Sequence, residues 1–124
     1  IDMNDEWLVI SAYPGAGSSV HVIKLSELDS GVLRPIPGND DFPQGISINE
    51  KGFFIALQGK NKVVGWSKVD DALNGNAPTM SFGGGTGKTN SGTKMASTVH
   101  WDGYHLWVGE FKFSNRLLGF APSG

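Results

Sequence analysis

The stretch Gly45-Ile46-Ser47-Ile48-Asn49-Glu50-Lys51-Gly52-Phe53-Phe54-Ile55-Ala56-Leu57, continued by Asn61-Lys62-Val63-Val64-Gly65-Trp66, reads as three short strands. Lys51-Gly52 supplies a tight turn between the first two, and a polar loop leads into the third. The plan recurs in Thr98-Val99-His100-Trp101-Asp102-Gly103-Tyr104-His105-Leu106-Trp107-Val108-Gly109, followed by Asn115-Arg116-Leu117-Leu118-Gly119-Phe120, with Asp102-Gly103 as the turn. The two copies are offset by 52 residues at the second strand and 54 at the third, so only the loop has changed length. A degraded copy precedes both: Ile1-Asp2-Met3-Asn4, then Trp7-Leu8-Val9-Ile10-Ser11, then Val20-His21-Val22-Ile23-Lys24-Leu25. Its second strand lies about 46 residues before the matching one.

A repeat of this length, with three or four strands per unit, predicts a β-propeller. One four-stranded blade cannot bury both of its faces alone, so neighbouring blades must stack on it. The expected fold is all-β, a propeller fragment of about two and a half to three four-stranded antiparallel blades. It forms a single partial domain over 1–124, with blades near 1–38, 39–83 and 94–124. Fourth strands fall at Leu33-Arg34-Pro35-Ile36 and Pro78-Thr79-Met80-Ser81-Phe82, where proline suits an unpaired outer edge. Lys68–Gly75 has the makings of one helical turn ended by Gly75, but reads here as a loop between strands.

The composition agrees with short strands and tight turns: 18 glycines and four tryptophans in 124 residues, with 18% charged and 39% hydrophobic. A formal charge of −2 leaves no basic footprint for nucleic acid or an anionic membrane. No apolar run approaches the roughly 18 residues that span a bilayer, so membrane insertion is not expected. The absence of cysteine excludes disulfides and thiolate metal ligands. Ile1 is not a natural start, and the chain stops four residues after Phe120, so both ends are read as cuts through a larger pattern.

The segment 41–69, DFPQGISINEKGFFIALQGKNKVVGWSKV, resembles the NHL repeat, a propeller blade motif running Pro-x-Gly-Ile, a turn with Gly, a hydrophobic strand, then Asn-basic-hydrophobic. The ending SNRLLGFAPSG at 114–124 is similar, and the stretch from Val64 through DDALNGNAPTMSFGGGTG looks like the longer connectors of secreted bacterial NHL-type proteins. The resemblance covers most of 42–124 and, loosely, 1–41. The third copy has Ala96 and Ser97 where the second has Pro43 and Gly45. Gln58 and Glu110 stand where the family often ends the second strand with Asp. The resemblance implies an extracellular or periplasmic protein.

SFGGGTGKT at 81–89 invites comparison with a phosphate-binding loop, but the position that should be the first glycine is Phe82. Thr89-Asn90-Ser91-Gly92-Thr93 is also a poor helix start, whereas a phosphate loop must open a helix. The stretch reads as a connector between blades.

In a propeller, the connectors entering each blade and the loops between second and third strands gather on one face around the central channel, the usual ligand site. This mapping groups Tyr13, Asp40, Asp41, Gln44, Lys60, Asn61, Lys94, Glu110, Phe111 and Lys112. Trp101, aligned with Asn49 beside a turn, joins them as an exposed ring, whereas Trp66 (aligned with Phe120) and Trp107 (aligned with Ile55) are assigned to packing between blades. His21, His100 and His105 are read as packing or surface residues, because they lack a third spaced ligand.

No catalytic residue and no metal ligand is assigned, and no cofactor is expected. The leading expectation is a non-catalytic propeller scaffold that binds a protein or a glycan. The rival is a propeller hydrolase or lyase holding Ca²⁺ or Zn²⁺ in the channel, for which only Asp40, Asp41 and Glu110 qualify as carboxylate ligands. A third reading is a structural fragment without a ligand. Because isolated blade faces are an apolar liability, the chain is expected to pair with the remainder of a parent propeller or with a second copy of itself. Two copies would complete a six-bladed ring.

Overall fold

The computed structural model describes residues 1–12, 19–38, 42–84, 93, 95–110 and 116–121. Strands β1 (Asp2–Met3), β2 (Trp7–Ala12), β3 (Ser19–Lys24) and β4 (Arg34–Pro35) form a first antiparallel sheet in chain order. Strands β5 (Pro43–Asn49), β6 (Gly52–Leu57), β7 (Lys62–Trp66) and β8 (Met80–Gly83) form a second. Strands β9 (Ala96–Trp101), β10 (Leu106–Glu110) and β11 (Leu117–Phe120) form a third. Each sheet is a meander whose consecutive strands pair, and the second is packed between the other two. The chain is all-β, with the architecture of a propeller fragment.

Strand β6 shows why the stack forms. Side chains alternate across a strand, yet Gly52-Phe53-Phe54-Ile55-Ala56-Leu57 is buried throughout. Phe53, Ile55 and Leu57 enter one cluster with Trp7, Val9, Val20 and Val22 of the first sheet. Phe54 and Ala56 enter another with Ala96, Trp101, Leu106 and Val108 of the third. Burial of each such large aliphatic or aromatic side chain stabilises by roughly 1.5–3 kcal/mol, so both clusters are needed to hold the middle sheet.

Two local expectations are corrected. Residues read as a loop form a short helix, α1 (Val69–Leu73), because Val69 and Ala72 find apolar burial in the first cluster. Gly75 follows at φ +78, and the Trp66 indole donates to the Asn76 carbonyl at 2.9 Å, fastening the segment to β7. The fourth strand of the second sheet is also displaced toward the C-terminus, to Met80–Gly83, since Pro78 carries no amide for the ladder.

The third correction concerns register. Ile48 pairs with Phe53 and Asn49 with Gly52, whereas Trp101 pairs with Leu106, and the Asp102 amide donates to the His105 carbonyl at 3.2 Å. Matching the ladders sets Phe53 against Leu106, an offset of 53 rather than 52. Gly103 lies inside its turn at φ +96, but Gly52 opens a strand without positive φ, so the two glycines are not equivalent. A slip of one residue exchanges the faces of a strand. Trp101 therefore occupies the place of Ile48 and is buried, its ring centroid 4.9 Å from that of Phe54. Trp107 matches Phe54 instead of Ile55 and lies on the outer face of the third sheet. The match of Trp66 with Phe120 stands, since they pair with Phe53 and Leu106.

The Phe54 ring lies over Gly65, where an added Cβ would overlap it. Gly65→Ala should cost about 1–3 kcal/mol by overpacking. Phe54→Ala should cost about 3–5 kcal/mol by removing the ring from between two sheets. Urea melts followed by circular dichroism check both values; an unchanged midpoint in Phe54→Ala would remove β6 from its central role.

Candidate functional site

The starts of β5, β7 and β9 and the ends of β6 and β10 lie at one end of the stack, as their pairing requires. Gln44, Lys60, Asn61 and Glu110 are thereby brought to the same end. Tyr13, Asp40, Asp41, Lys94, Phe111 and Lys112 lie outside the described residues, as do residues 85–92 of the glycine-rich stretch. Trp101 belongs to neither group. It is at the opposite end, closed between the second and third sheets, so its expected exposure is corrected.

Gln44 joins all three sheets. Its Oε1 accepts from Gln58 Nε2 at 2.8 Å and from the Ser97 hydroxyl at 2.7 Å, while its carbonyl accepts from the Ser11 hydroxyl at 2.7 Å. Ser11 is on β2, Gln58 follows β6, and Ser97 is on β9. Gln58 and Ser97 are themselves buried, and an unmet polar group there would cost about 1–3 kcal/mol.

Asn61 turns the chain from β6 into β7 with φ +53, a left-handed conformation that Asn adopts more readily than most residues. Its side-chain Oδ1 accepts from the Met95 amide at 2.9 Å, and its carbonyl accepts from the Gly84 amide at 2.7 Å and from the Thr93 hydroxyl. This one loop residue thus fastens both the exit of β8 and the entry to β9. Lys60 precedes it and is exposed.

Glu110 stands where the second sheet has Leu57, facing inward. Its carboxylate is met by Arg116, Nε at 2.5 Å and Nη2 at 3.0 Å, and its amide donates to the Arg116 carbonyl at 2.9 Å. The hydrogen bond to Glu110 raises the Arg116 guanidinium further above its ordinary value. This fork geometry, typical of arginine with carboxylate, occupies both oxygens that a metal would need. Among the described residues no three His, Asp or Glu side chains converge as a metal-binding group.

Sequence reasoning missed Gln58, Thr93, Ser97 and Arg116, which complete these bonds. The inward position of Glu110, which calls for a cation, emerges only with the structural register that sets it level with Leu57.

The opposite end is organised differently. Asp102 Oδ1 accepts from the amides of Tyr104 at 2.7 Å and His105 at 2.6 Å, and Oδ2 accepts from the Trp107 indole at 3.1 Å. The His105 amide, then the indole and the Tyr104 amide, hold this carboxyl at about 2, below its usual 3.8. Lys51 Nζ lies 4.5 Å from the Tyr104 ring centroid. Between the first and second sheets at this end is a cleft of about 570 Å³, whose lining includes Asp5, Glu6, Glu50, Lys68 and Asp70. None of the residues singled out for binding lines it.

No family model, curated protein or solved structure matches the chain. No helix among the described residues is long and apolar enough to cross a membrane.

Two measurements test this geometry. Arg116→Ala leaves the Glu110 carboxylate buried without its guanidinium and should lower the urea midpoint, whereas Arg116→Lys should recover part of the loss. Asp102 has its folded value depressed, so its contribution is present above about pH 4 and is lost as pH falls toward 2. The stability gap between wild type and Asp102→Ala should therefore be constant from pH 7 to 5 and narrow as pH falls from about 4 through 2; a constant gap throughout would refute the assignment.

Proposed function

We propose that this chain is a non-catalytic binding scaffold, a segment of an NHL-like propeller of the extracellular or periplasmic kind, that presents one end of its stack to a protein or glycan. The observation that carries this reading is the bonding of Gln44, Asn61 and Glu110. Each is committed to the framework: Gln44 to three sheets, Asn61 to two chain crossings, Glu110 to Arg116. Side chains anchored in this way are suited to holding a recognition surface in place at low entropic cost. A carboxylate already forked by arginine is a poor metal ligand and a poor base, which favours binding over hydrolysis.

The experiment is a paired array of glycans and peptides probed with wild type and with Lys60→Glu, an exposed change at this end. Binding to one class that weakens at least tenfold in the variant supports the reading. Binding that is indifferent to Lys60→Glu overturns the assignment to this end. Stoichiometric Ca²⁺ or Zn²⁺ retained after dialysis, with turnover of an ester or lactone panel, would replace the scaffold with the metalloenzyme.

A further inference from the structure

The three sheets repeat one motif on the face directed toward the next sheet. In β6 and β7, Phe54 pairs with Gly65 and Ala56 with Val63. In β2 and β3 the corresponding pairs are Trp7 with Lys24 and Val9 with Val22; in β10 and β11 they are Trp107 with Gly119 and Gly109 with Leu117. An aromatic ring recurs at the first position and an aliphatic side chain at the last. In the first two sheets these positions are covered: Trp7 is 3% exposed and Phe54, Val22 and Val63 are 0%. In the third sheet Trp107 is 40% exposed and Leu117 71%.

What covers them in the first two sheets is also repeated. Trp7 and Val22 meet Ile48, Phe53, Ile55 and Val64 of the second sheet. Phe54 and Val63 meet Trp101, Leu106 and Val108, which occupy the matching positions of the third. The covering face of the first sheet carries Met3, Leu8 and Ile10 at the positions of Ile46, Ile55 and Leu57. Met3 is 54% exposed, and Leu8 and Ile10 are partly exposed; neither hydrophobic core cluster contains them. Among the described sheets, the third thus offers a receiving face and the first a covering face, on which Ile23 is already buried.

We infer that the outer face of the third sheet, centred on Trp107 and Leu117, docks the outer face of the first sheet of a second copy of this chain. The contact continues the two inter-sheet interfaces already present at the positions of Ile46, Ile55 and Leu57, while Asp5 and Glu6 stand at those of Ile48 and Phe53 and set carboxylates beside the apolar centre. It is heterologous, with different surfaces on the two partners, so copies add head to tail and close into a ring where the rotation permits. Trp107 is held for this contact before it forms: its indole donates to Asp102, and its ring lies over Gly119 as Phe54 lies over Gly65. The inference concerns a different surface from the polar end assigned to ligand binding, and its test reads association, whereas the test of that end reads ligand binding.

Sedimentation velocity on the 124-residue chain tests the proposal. Wild type should associate with rising concentration, while Leu117→Lys and Met3→Lys, both at exposed positions, should keep their far-UV spectra and sediment as monomers. Each variant retains one intact face, so an equimolar mixture should form a dimer of twice the monomer mass and nothing larger. Wild type that remains monomeric overturns the inference. So does association lost in Leu117→Lys but kept in Met3→Lys, which would mean that the face pairs with itself, and so does a mixture that stays monomeric.

Discussion

The structure depends on β6 being apolar on both sides. A strand with one wet face can end a protein; a strand reading Phe53-Phe54-Ile55-Ala56-Leu57 cannot. Its even residues demand a sheet on one side and its odd residues demand a sheet on the other, and both demands are met from the same chain. The first and third sheets are thus recruited by the second. The short helix α1 follows from the same constraint, since the crossing from β7 to β8 places Val69 and Ala72 over the remaining apolar ground.

Burial of apolar area is non-directional and does not by itself single out one alignment of the sheets. The polar contacts fix the relative positions. Asp2 Oδ2 accepts from the Ile48 amide at 2.9 Å, and the Ser47 hydroxyl accepts from the Trp101 amide at 2.9 Å. Ile48 and Trp101 hold matching positions in their sheets, so each inter-sheet boundary has a side-chain acceptor set against the same backbone donor. Gln44 spans both boundaries at the other end. With hydrogen bonds at the two ends of each boundary, the sheets have one register.

The fold was legible because its signals are cumulative: strand alternation, turn glycines and a repeat of about fifty residues all point to stacked meanders. The faces of the third sheet were less legible. Gly103 and Gly52 look alike in sequence but do different work, one turning the chain at positive φ and the other starting a strand. Aligning them moves every side chain of β10 to the wrong face, which is why Trp101 and Trp107 exchange the roles expected of them. The grouping of Gln44, Lys60 and Asn61 followed from topology alone. Their bonding did not, because Gln58, Ser97 and Thr93 are polar residues distant in sequence whose meeting is decided by the stack.

The glycines opposite the aromatic positions give this architecture a built-in polarity. Gly65 lets Phe54 lie along its own sheet, so the next sheet meets the flat side of a ring instead of an upright side chain. Gly119 does the same for Trp107, even though no described sheet covers it. The arrangement of the ring is therefore a property of the sheet that carries it, formed before any neighbour arrives. A side chain already held by a glycine seat and a carboxylate loses little rotamer freedom on docking. The first sheet departs from this plan, with Lys24 in the glycine position and its Nζ 5.6 Å from the centroid of Trp7. A cation packed over the indole there replaces the open seat. One sequence position, occupied by Lys24, Gly65 and Gly119 in turn, thus decides how each sheet offers its ring to the next.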